Sequence, residues 1–520
     1  MINVHVRAIA AVLAAVCFVA ACGTPGQDAA REPAAAGSHE SSLEQFKLLN
    51  RVTWGASPAA ARKLAGAGTA RYLEQQLHPA QQSALPQVIQ TQIDAMKISK
   101  RPFDQLVFEL EQQRRDSDVI SDPDKKKATQ QAYQQELNRI GREAAARFLL
   151  RALYSSDQLQ EQMTWFWMNH FNVHLYKSNL RALVGDYEAR AIRPHSLGRF
   201  RDLLGATAHH PAMLRYLDNE QNAVGRVNEN YARELMELHT LGVDGGYSQR
   251  DVQELGRILT GFGVNLTRDK PNLRPALQNQ YLRDGLFEFD PNRHDFGDKI
   301  FLGEAVRGRG ADELSEALDR LARHPSTARF ISRKLAMFLV SDDPSAGLVE
   351  RMAAVFRSTD GDIAATLSAM FASPEFTASL GRKIKDPMHF VVSAVRLAYD
   401  DKPILNAGPL INWLNRMGEP LYAHATPDGY PLTQTAWASQ GQITTRFEIA
   451  RAIGFGSAGL FKTDGPESVE RAAFPQLANA LYFQTLQRTL SETTRQALDQ
   501  AKSPQEWNLY LLSSPEFMNR

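Results

Sequence analysis

The chain has 520 residues, of which 43% are hydrophobic and 22% charged, so it is long and apolar enough to bury a sizeable core. Lysine and arginine together number 59 and aspartate and glutamate 58, which leaves a formal net charge of +1. This balance, without a basic stripe of interleaved aromatic residues, gives no electrostatic case for nucleic-acid binding, and we expect no nucleic-acid partner.

Residues 1–21 have the pattern of a secretory signal peptide. Arg7 precedes an apolar run that ends at Ala20, and this run is shorter than a membrane span requires. The run closes on "VAAC", which resembles a bacterial lipobox and implies cleavage before Cys22 and lipidation of its thiol. Because Gly23 follows, and not an aspartate that signals inner-membrane retention, we expect an exported outer-membrane lipoprotein that meets the membrane through Cys22. An ordinary secretory signal cut elsewhere is the alternative.

A flexible tether is predicted for residues 22–42, which are small, polar and rich in Ala, Gly, Pro and Ser. The folded part is expected to be one helical domain over residues 43–520. The only other cysteine, Cys17, lies inside the predicted signal peptide. A lipidated mature chain would therefore have no free thiol, which excludes cysteine nucleophiles and iron–sulfur clusters.

The predicted fold is mainly α, a large multi-helix domain with one small β-hairpin. Ser57 and Pro58 have the character of an N-cap and a first-turn proline. A long helix is predicted from about Pro123 to Arg151, with a solvated first half and a buried second half. The segment "LFEFDPNRHDFGDKIFLG" alternates apolar and polar residues on both sides of a turn, which predicts a hairpin with a long loop.

The stretch "NENYARELMELHTLGVDGG", residues 228–246, is predicted to be an amphipathic helix with two distinct faces. Its apolar face carries Tyr231, Leu235 and Leu238. The opposite face forms a polar strip of Glu229, Asn230, Arg233, Glu234 and Glu237. The strip is either a ladder of i,i+4 ion pairs that faces water or the carboxylate wall of a cleft that shares acid and base roles or binds a hard cation.

Three histidines are further candidates. His239 lies on the apolar edge of that helix, where a histidine is more often a core residue than a ligand. His294 and Asp295 lie on the loop of the predicted hairpin and could act as a general base or as metal ligands. His170 could share a metal with His174 at i,i+4, although this segment could already be leaving its helix. If the polar strip is functional, we expect its partner to be His294 and Asp295.

Several catalytic signatures are absent from the sequence. There is no G-x-S-x-G elbow, P-loop, H-E-x-x-H, C-x-x-C-H or dinucleotide fingerprint. We therefore expect no nucleotide and no haem, and the cofactor is left as unknown with a divalent cation as one option.

The motifs resemble one bacterial family. They are "NHF" at residues 169–171, "HPAML-YLDN" at 210–219, the block that opens at Asn228, and "DV-EL-R-LTG" at 251–261, followed by "HD-G-K--LG" at 294–303, "HP-TARFI--KL" at 324–335 and "PDGYP" at 427–431. Together they identify the chain as a member of the domain of unknown function 1800 family. The resemblance implies an exported bacterial protein without a settled activity. It also implies a possible exported partner, family 1501, encoded by a neighbouring gene.

The leading hypothesis from the sequence is an envelope hydrolase that acts on an envelope or extracellular polymer, either by acid and base catalysis with carboxylates and His294 or with the assistance of a metal ion. The alternative is a non-catalytic scaffold or partner-binding lipoprotein, whose charged strip is a docking face. A third hypothesis is a divalent cation with a purely structural role.

Overall fold

The computed structural model describes residues 34–79, 85–400, 402–462 and 474–520. The predicted signal peptide, the predicted lipidation site Cys22 and the start of the predicted tether lie outside these residues. Helices make up 62% of the described part and strands 5%, which confirms the mainly α class. Within this part, no helix combines the length and the apolar character that a membrane crossing requires.

The first third of the chain contains seven helices in the described ranges. Ser57 caps the second of them by accepting a hydrogen bond from Ala60 N, and Pro58 occupies its first turn, as predicted. The first helix begins at Ala34, so residues 34–42 of the predicted tether are helical. The helices are α1 (Ala34–Val52), α2 (Pro58–Ala67), α3 (Thr69–Leu77), α4 (Gln87–Ala95), α5 (Lys97–Lys100), α6 (Phe103–Asp118) and α7 (Pro123–Tyr154).

The helix α7 confirms the predicted change from a solvated to a buried half. Its first ten residues are exposed or half-buried, and the buried positions begin at Tyr133 and become dense after Ile140. Asp122 caps the helix by accepting from the amides of Asp124 and Lys125. The apolar second half is covered by α9 (Leu180–Asp186), α6 and the helices of the C-terminal half.

The middle of the chain brings the sequence motifs into the core. Nearly every residue of α8 (Gln158–His170) is buried, and its polar residues Glu161, Gln162 and Asn169 are buried together with its aromatic ones. A π-helical turn at 187–192 and a 3-10 turn at 193–195 follow α9. The further helices are α8 (Gln158–His170), α10 (Phe200–Ala208), α11 (Pro211–Tyr216), α12 (Asn230–Glu237) and α13 (Gln249–Ile258).

The predicted hairpin is wrong in its pairing. Both of its segments are extended, but each pairs locally: β1 (Phe262–Val264), β3 (Phe287–Phe289) and β2 (Leu282–Asp284) form one antiparallel sheet in that order, and β4 (Lys299–Phe301) pairs with β5 (Glu304–Val306). Two-residue turns explain the difference. Gly285 has φ +56°, and Leu302 and Gly303 have φ +50° and +80°, the left-handed geometry that favours tight hairpins over a long loop.

The C-terminal half returns to helices that pack on the first half. Arg51 of α1 is buried and donates hydrogen bonds to Leu339 O, to Ser379 and to Arg520 O, so it ties the two ends of the chain together. Buried apolar residues from Phe46 to Phe517 form one continuous cluster. The helices are α14 (Asp312–Arg323), α15 (Pro325–Leu339), α16 (Ala346–Ser358), α17 (Ile363–Phe371), α18 (Pro374–Ser379), α19 (Pro387–Ala398), α20 (Gly408–Arg416), α21 (Gln440–Gly454), α22 (Ala480–Gln484), α23 (Glu492–Asp499) and α24 (Pro504–Leu512).

Candidate functional site

Four distant segments meet at the end of α8. The "NHF" motif ends this helix, the loop 422–430 with "PDGYP" lies on it, and α12 and α15 approach from the sides. His170 Nε2 donates to His239 O at 3.0 Å, and the two rings lie 6.0 Å apart. We call the group His170, His239, Glu234, Lys334 and Asp428 the junction cluster.

Two asparagines of the α8 end hold the loop in place. Asn169 Nδ2 donates to Tyr430 O at 2.9 Å, and Asn169 Oδ1 accepts from Tyr430 N at 2.6 Å. Asn172 Nδ2 donates to the carbonyl oxygens of His424 and Thr426 at 3.0 and 2.7 Å. Because side-chain amides replace backbone partners here, the loop has a fixed position although it lacks regular structure.

Gly429 is required for this contact between the loop and α8. Its φ is +76°, and a Cβ atom at this position would lie 2.1 Å from Asn169 O. An L-residue would be strained by the backbone and would also collide with α8. The "PDGYP" motif is thus more than a turn, because its glycine allows close approach and its aspartate is carried to the cluster.

Asp428 lies at the exposed rim of the junction cluster. Its Oδ1 accepts from Thr426 Oγ1 at 2.5 Å and lies 3.4 Å from His424 Nε2. Its side chain is 63% exposed. These contacts orient the carboxylate while leaving it open to solvent, which is the arrangement expected of a group that meets a ligand.

The two histidines form the buried floor of the cluster. Burial and the charge of Lys334 lower the pKa of His239 to about 3, and burial and Lys334 also hold the pKa of His170 well below its usual value. Both imidazoles are therefore neutral at neutral pH. Since His170 Nε2 donates to a carbonyl, its Nδ1 carries a lone pair.

Three ring nitrogens of these histidines have no partner in the described ranges, a property that they share with other buried side chains such as Gln162 and Tyr231. Neither ring nitrogen of His239, nor Nδ1 of His170, has a hydrogen-bond partner among the described residues. A buried polar group without a partner costs about 1–3 kcal/mol, and such groups are rare in folded proteins. The sequence predicted His239 to be a satisfied core residue; it is in the core, but it is unsatisfied.

Lys334 and Glu234 are also members of the junction cluster, and the pKa of each is shifted. Burial lowers the pKa of the half-buried Lys334 to about 8, against the opposing effect of Asp428. Burial, then Glu237 and Asp428, raise the pKa of Glu234 against the effect of Arg233. A raised carboxyl pKa and a lowered amine pKa are the two shifts expected where acid and base chemistry occurs.

The start of the polar strip has a structural role. Arg233 contacts Glu229 at 3.4 Å and Gln249 at 2.9 Å, and Gln249 donates to Glu229 at 2.7 Å, so this trio joins α12 to α13. Asn230 Nδ2 donates to Leu217 O at 3.1 Å. Only the end of the strip reaches the junction cluster: Glu234 belongs to it, and burial, then the charge of the neighbouring Glu237, raise the pKa of Glu234. Burial and then Glu237 also raise the pKa of Tyr247.

His294 and Asp295 do not join the polar strip. His294 is 3% exposed; its Nδ1 faces Thr260 O at 2.7 Å and its Nε2 faces Glu313 Oε1 at 3.0 Å. Asp295 is paired with Arg257 at 2.8 Å. Both ring nitrogens of His294 are thus taken up by oxygen acceptors, so the expected partnership with the glutamates of α12 is wrong, and the pair instead braces the loop between β3 and β4.

Sequence reasoning missed Lys334 and Asp428. Both lie within motifs quoted above, "HP-TARFI--KL" and "PDGYP", but their spacing along the chain gives no sign that they meet. Tyr216 was missed in the same way: its hydroxyl donates to Ala425 O at 2.9 Å, and burial, then Glu234 and Asp428, raise its pKa. Within the described ranges, no group of three or more His, Cys, Asp and Glu residues has the arrangement of a metal site.

The fold and the junction cluster define a mainly α-helical protein in which a buried histidine pair is under the electrostatic influence of Lys334, and Lys334 under that of Asp428. The chain belongs to the family described as "Protein of unknown function (DUF1800)", which matches residues 47–519. No curated protein and no solved structure matches it. The matched range contains every member of the junction cluster.

Proposed function

We propose that the chain is an envelope hydrolase whose active site is the junction cluster. One observation carries the proposal: Asp428, whose carboxylate is exposed, acts electrostatically on both Glu234 and Lys334, and Lys334 acts in turn on the two buried histidines, whose ring nitrogens include three without a partner among the described residues. Pairs of carboxyl groups in unlike environments divide acid and base roles between them. The proposal keeps Glu234 of α12, which the sequence indicated as a candidate. Asp428 and Lys334 are its proposed partners, where the sequence predicted His294 and Asp295.

The proposed reaction uses water to cleave a bond between a polymer unit and an oxygen leaving group. Asp428 accepts a proton from the attacking water, and the water oxygen bonds to the carbon under attack. Glu234 gives its proton to the leaving oxygen as that bond breaks, so the atoms and charges balance. Lys334 stabilises negative charge near the reacting atoms when it is protonated, and the neutral histidines orient water from below.

The direct test is hydrolysis of dye-labelled envelope and extracellular polymers of the host by the purified protein. Glu234→Gln and Asp428→Asn should each lower dye release at least 100-fold, the range of a lost general acid or base. Glu74→Gln and Asp343→Asn are the matched controls, because these side chains are 68% and 92% exposed and lie on other elements. Full activity of both cluster variants would refute the proposed chemistry.

The alternative proposal, a non-catalytic partner-binding lipoprotein, makes a different prediction for the host. If the strip is only a docking face, the protein does not cleave polymer, and Glu234→Gln has little effect on function. In that case, exchange of Arg233 with Glu229 reverses both charges and abolishes function. If the cluster is catalytic, Glu234→Gln abolishes complementation, and exchange of Arg233 with Glu229 preserves it because the ion pair is kept. Complementation by these variants at equal protein level separates the two.

Anchoring through Cys22 is part of the proposal. It rests on the lipobox-like "VAAC" and on Gly23 after it. Cys22→Ser should move the protein from the membrane fraction to the soluble fraction of the host, whereas Cys17→Ser, inside the predicted signal peptide, should leave it at the membrane. Membrane association of the Cys22 variant would contradict lipidation.

A further inference from the structure

A cationic cavity lies apart from the junction cluster and shares no residue with it. It has a volume of about 480 Å³ and lies between α1, the segment 380–385 and the last residues of the chain. Its charged lining consists of Lys47, Arg382, Lys385, Arg488, Arg520 and Glu516.

The single acidic residue of this lining is already bonded to the protein. Glu516 accepts hydrogen bonds from Ser491 N at 2.8 Å and from Thr494 Oγ1 at 2.9 Å. It holds the segment at Ser491 and Thr494 against residues 515–520, and it is one acidic residue against five cationic ones in the lining. The cavity wall therefore has a strong positive excess, which draws anions and raises their local concentration.

Lys385 is the unusual member of the wall. It is 2% exposed, its Nζ lies 3.7 Å from the centre of the Phe517 ring, and no hydrogen-bond acceptor for it is found in the described part of the chain. By contrast, the neighbouring Lys383 donates to Asp342 at 2.6 Å and to Leu432 O at 3.2 Å. The Phe517 ring offsets part of the cost of burying this side chain, but the hydrogen-bond donors of Lys385 Nζ remain open to a ligand.

The charged neighbours that lower the pKa of Lys385 are both arginines. Burial, then the charges of Arg446 and Arg520, hold the pKa of Lys385 well below its usual value. Arg520, the other buried cation of the wall, has an Nε atom without a partner among the described residues, while its Nη2 donates to Phe338 O at 2.9 Å. The buried side chains of Lys385 and Arg520 thus flank one space, and both retain donor capacity.

We propose that this cavity binds the phosphate or carboxylate group of an anionic ligand, with Lys385 at its inner wall and Arg382 and Arg488 at its mouth. The volume fits a small molecule or a headgroup. An anion here would accept hydrogen bonds from Lys385 and would offset the repulsion among the cations. The proposal is independent of the hydrolase proposal, since the cavity shares no residue with the junction cluster.

Isothermal titration calorimetry of the full chain in non-ionic detergent tests this proposal, with inorganic phosphate, acetate and short-chain phosphatidylglycerol as separate probes. We expect saturable binding of at least one probe. Lys385→Met should weaken it at least tenfold, about 1.4 kcal/mol. Arg488→Gln, an exposed position that leaves the core intact, should weaken it twofold to fivefold. Lys125→Met, an exposed lysine on α7, is the charge-matched control and should change nothing.

The outcomes separate the sources of the anion. Tighter binding of the lipid than of phosphate by tenfold or more assigns the site to a lipid headgroup, and equal binding assigns it to a free anion. If Lys385→Met fails to fold, Arg488→Gln decides alone. The proposal is overturned if no probe binds, or if Arg488→Gln and Lys125→Met bind as the unaltered chain does.

Discussion

Glu313 gives the sharpest test of which acidic residues serve the fold and which serve the site. Its buried carboxylate accepts from His294 Nε2 at 3.0 Å, from Lys299 Nζ at 2.5 Å, and from the amides of Arg309 and Gly310 at 2.8 and 2.9 Å. Glutamine has nearly the same shape but only one acceptor oxygen and two added donors. Glu313→Gln therefore leaves donors facing donors and leaves Lys299 without its countercharge.

The magnitude follows from these contacts. Two hydrogen bonds to charged groups at about 1.5–3 kcal/mol each give roughly 3–6 kcal/mol, and loss of one partner from a buried ion pair costs about 3–5 kcal/mol. We take about 4 kcal/mol. An unfolding entropy of about 2.1 cal/mol/K per residue gives on the order of 1 kcal/mol/K for a chain of 520 residues, so Tm should fall by about 4 °C.

Differential scanning calorimetry at pH 7 measures this change, with Glu234→Gln as the matched variant. Glu234 is half-buried at the rim of the junction cluster, so its loss should change stability by less than about 0.5 kcal/mol while it abolishes activity. The reasoning is refuted if Glu313→Gln melts within 1 °C of the unaltered chain, or if Glu234→Gln melts as low as Glu313→Gln.

Two more changes follow from the junction cluster. Gly429→Ala should displace the loop 422–430, because its Cβ would lie 2.1 Å from Asn169 O. Limited proteolysis should then cut this loop faster. Gly418→Ala is the control, because Gly418 has the same φ of +76° but no atom within 4 Å of its Cβ position, so this variant has the backbone strain without the clash. Equal cutting of both variants would contradict the clash. His239 should give a pH effect: its pKa is about 3 when folded and about 6.5 when unfolded, so the unfolded chain binds more protons and stability should fall as pH decreases from 6.5 towards 3. His239→Leu should flatten this part of the curve of Tm against pH, and an unchanged slope would show that His239 is not the group responsible.

Much of the fold could be predicted from the sequence, because its signals are local. The cap at Ser57 and Pro58, the long helix α7 and the apolar face of α12 depend on residues within a few turns of one another. The strand pairing could not be predicted in this way. Apolar alternation marks β3 and β4 as extended but does not say which neighbour each one takes, and that choice was made by tight turns at Gly285 and at Leu302 and Gly303.

The candidate site was half predictable for the same reason. Glu234 and Glu237 stand out on one helix face, and the structure places both at the cluster or beside it. Lys334 and Asp428 lie about 100 and 200 residues further along the chain, and only the packing of α15 and the clasp of Asn169 bring them near. The prediction for His294 differed from the structure because a His-Asp pair on a loop suggests chemistry. The partner of His294 is Glu313, which lies on a helix whose apolar pattern does not indicate this contact.

The clasp between Asn169 and Tyr430 has a consequence for how the protein matures. It joins residues separated by 261 positions, so nothing before Tyr430 can complete the junction cluster. A fragment that ends between His239 and Asp428 retains both histidines but lacks the loop that the clasp holds in place. A chain that emerges residue by residue during synthesis can therefore assemble the junction cluster only after its last fifth has begun to emerge.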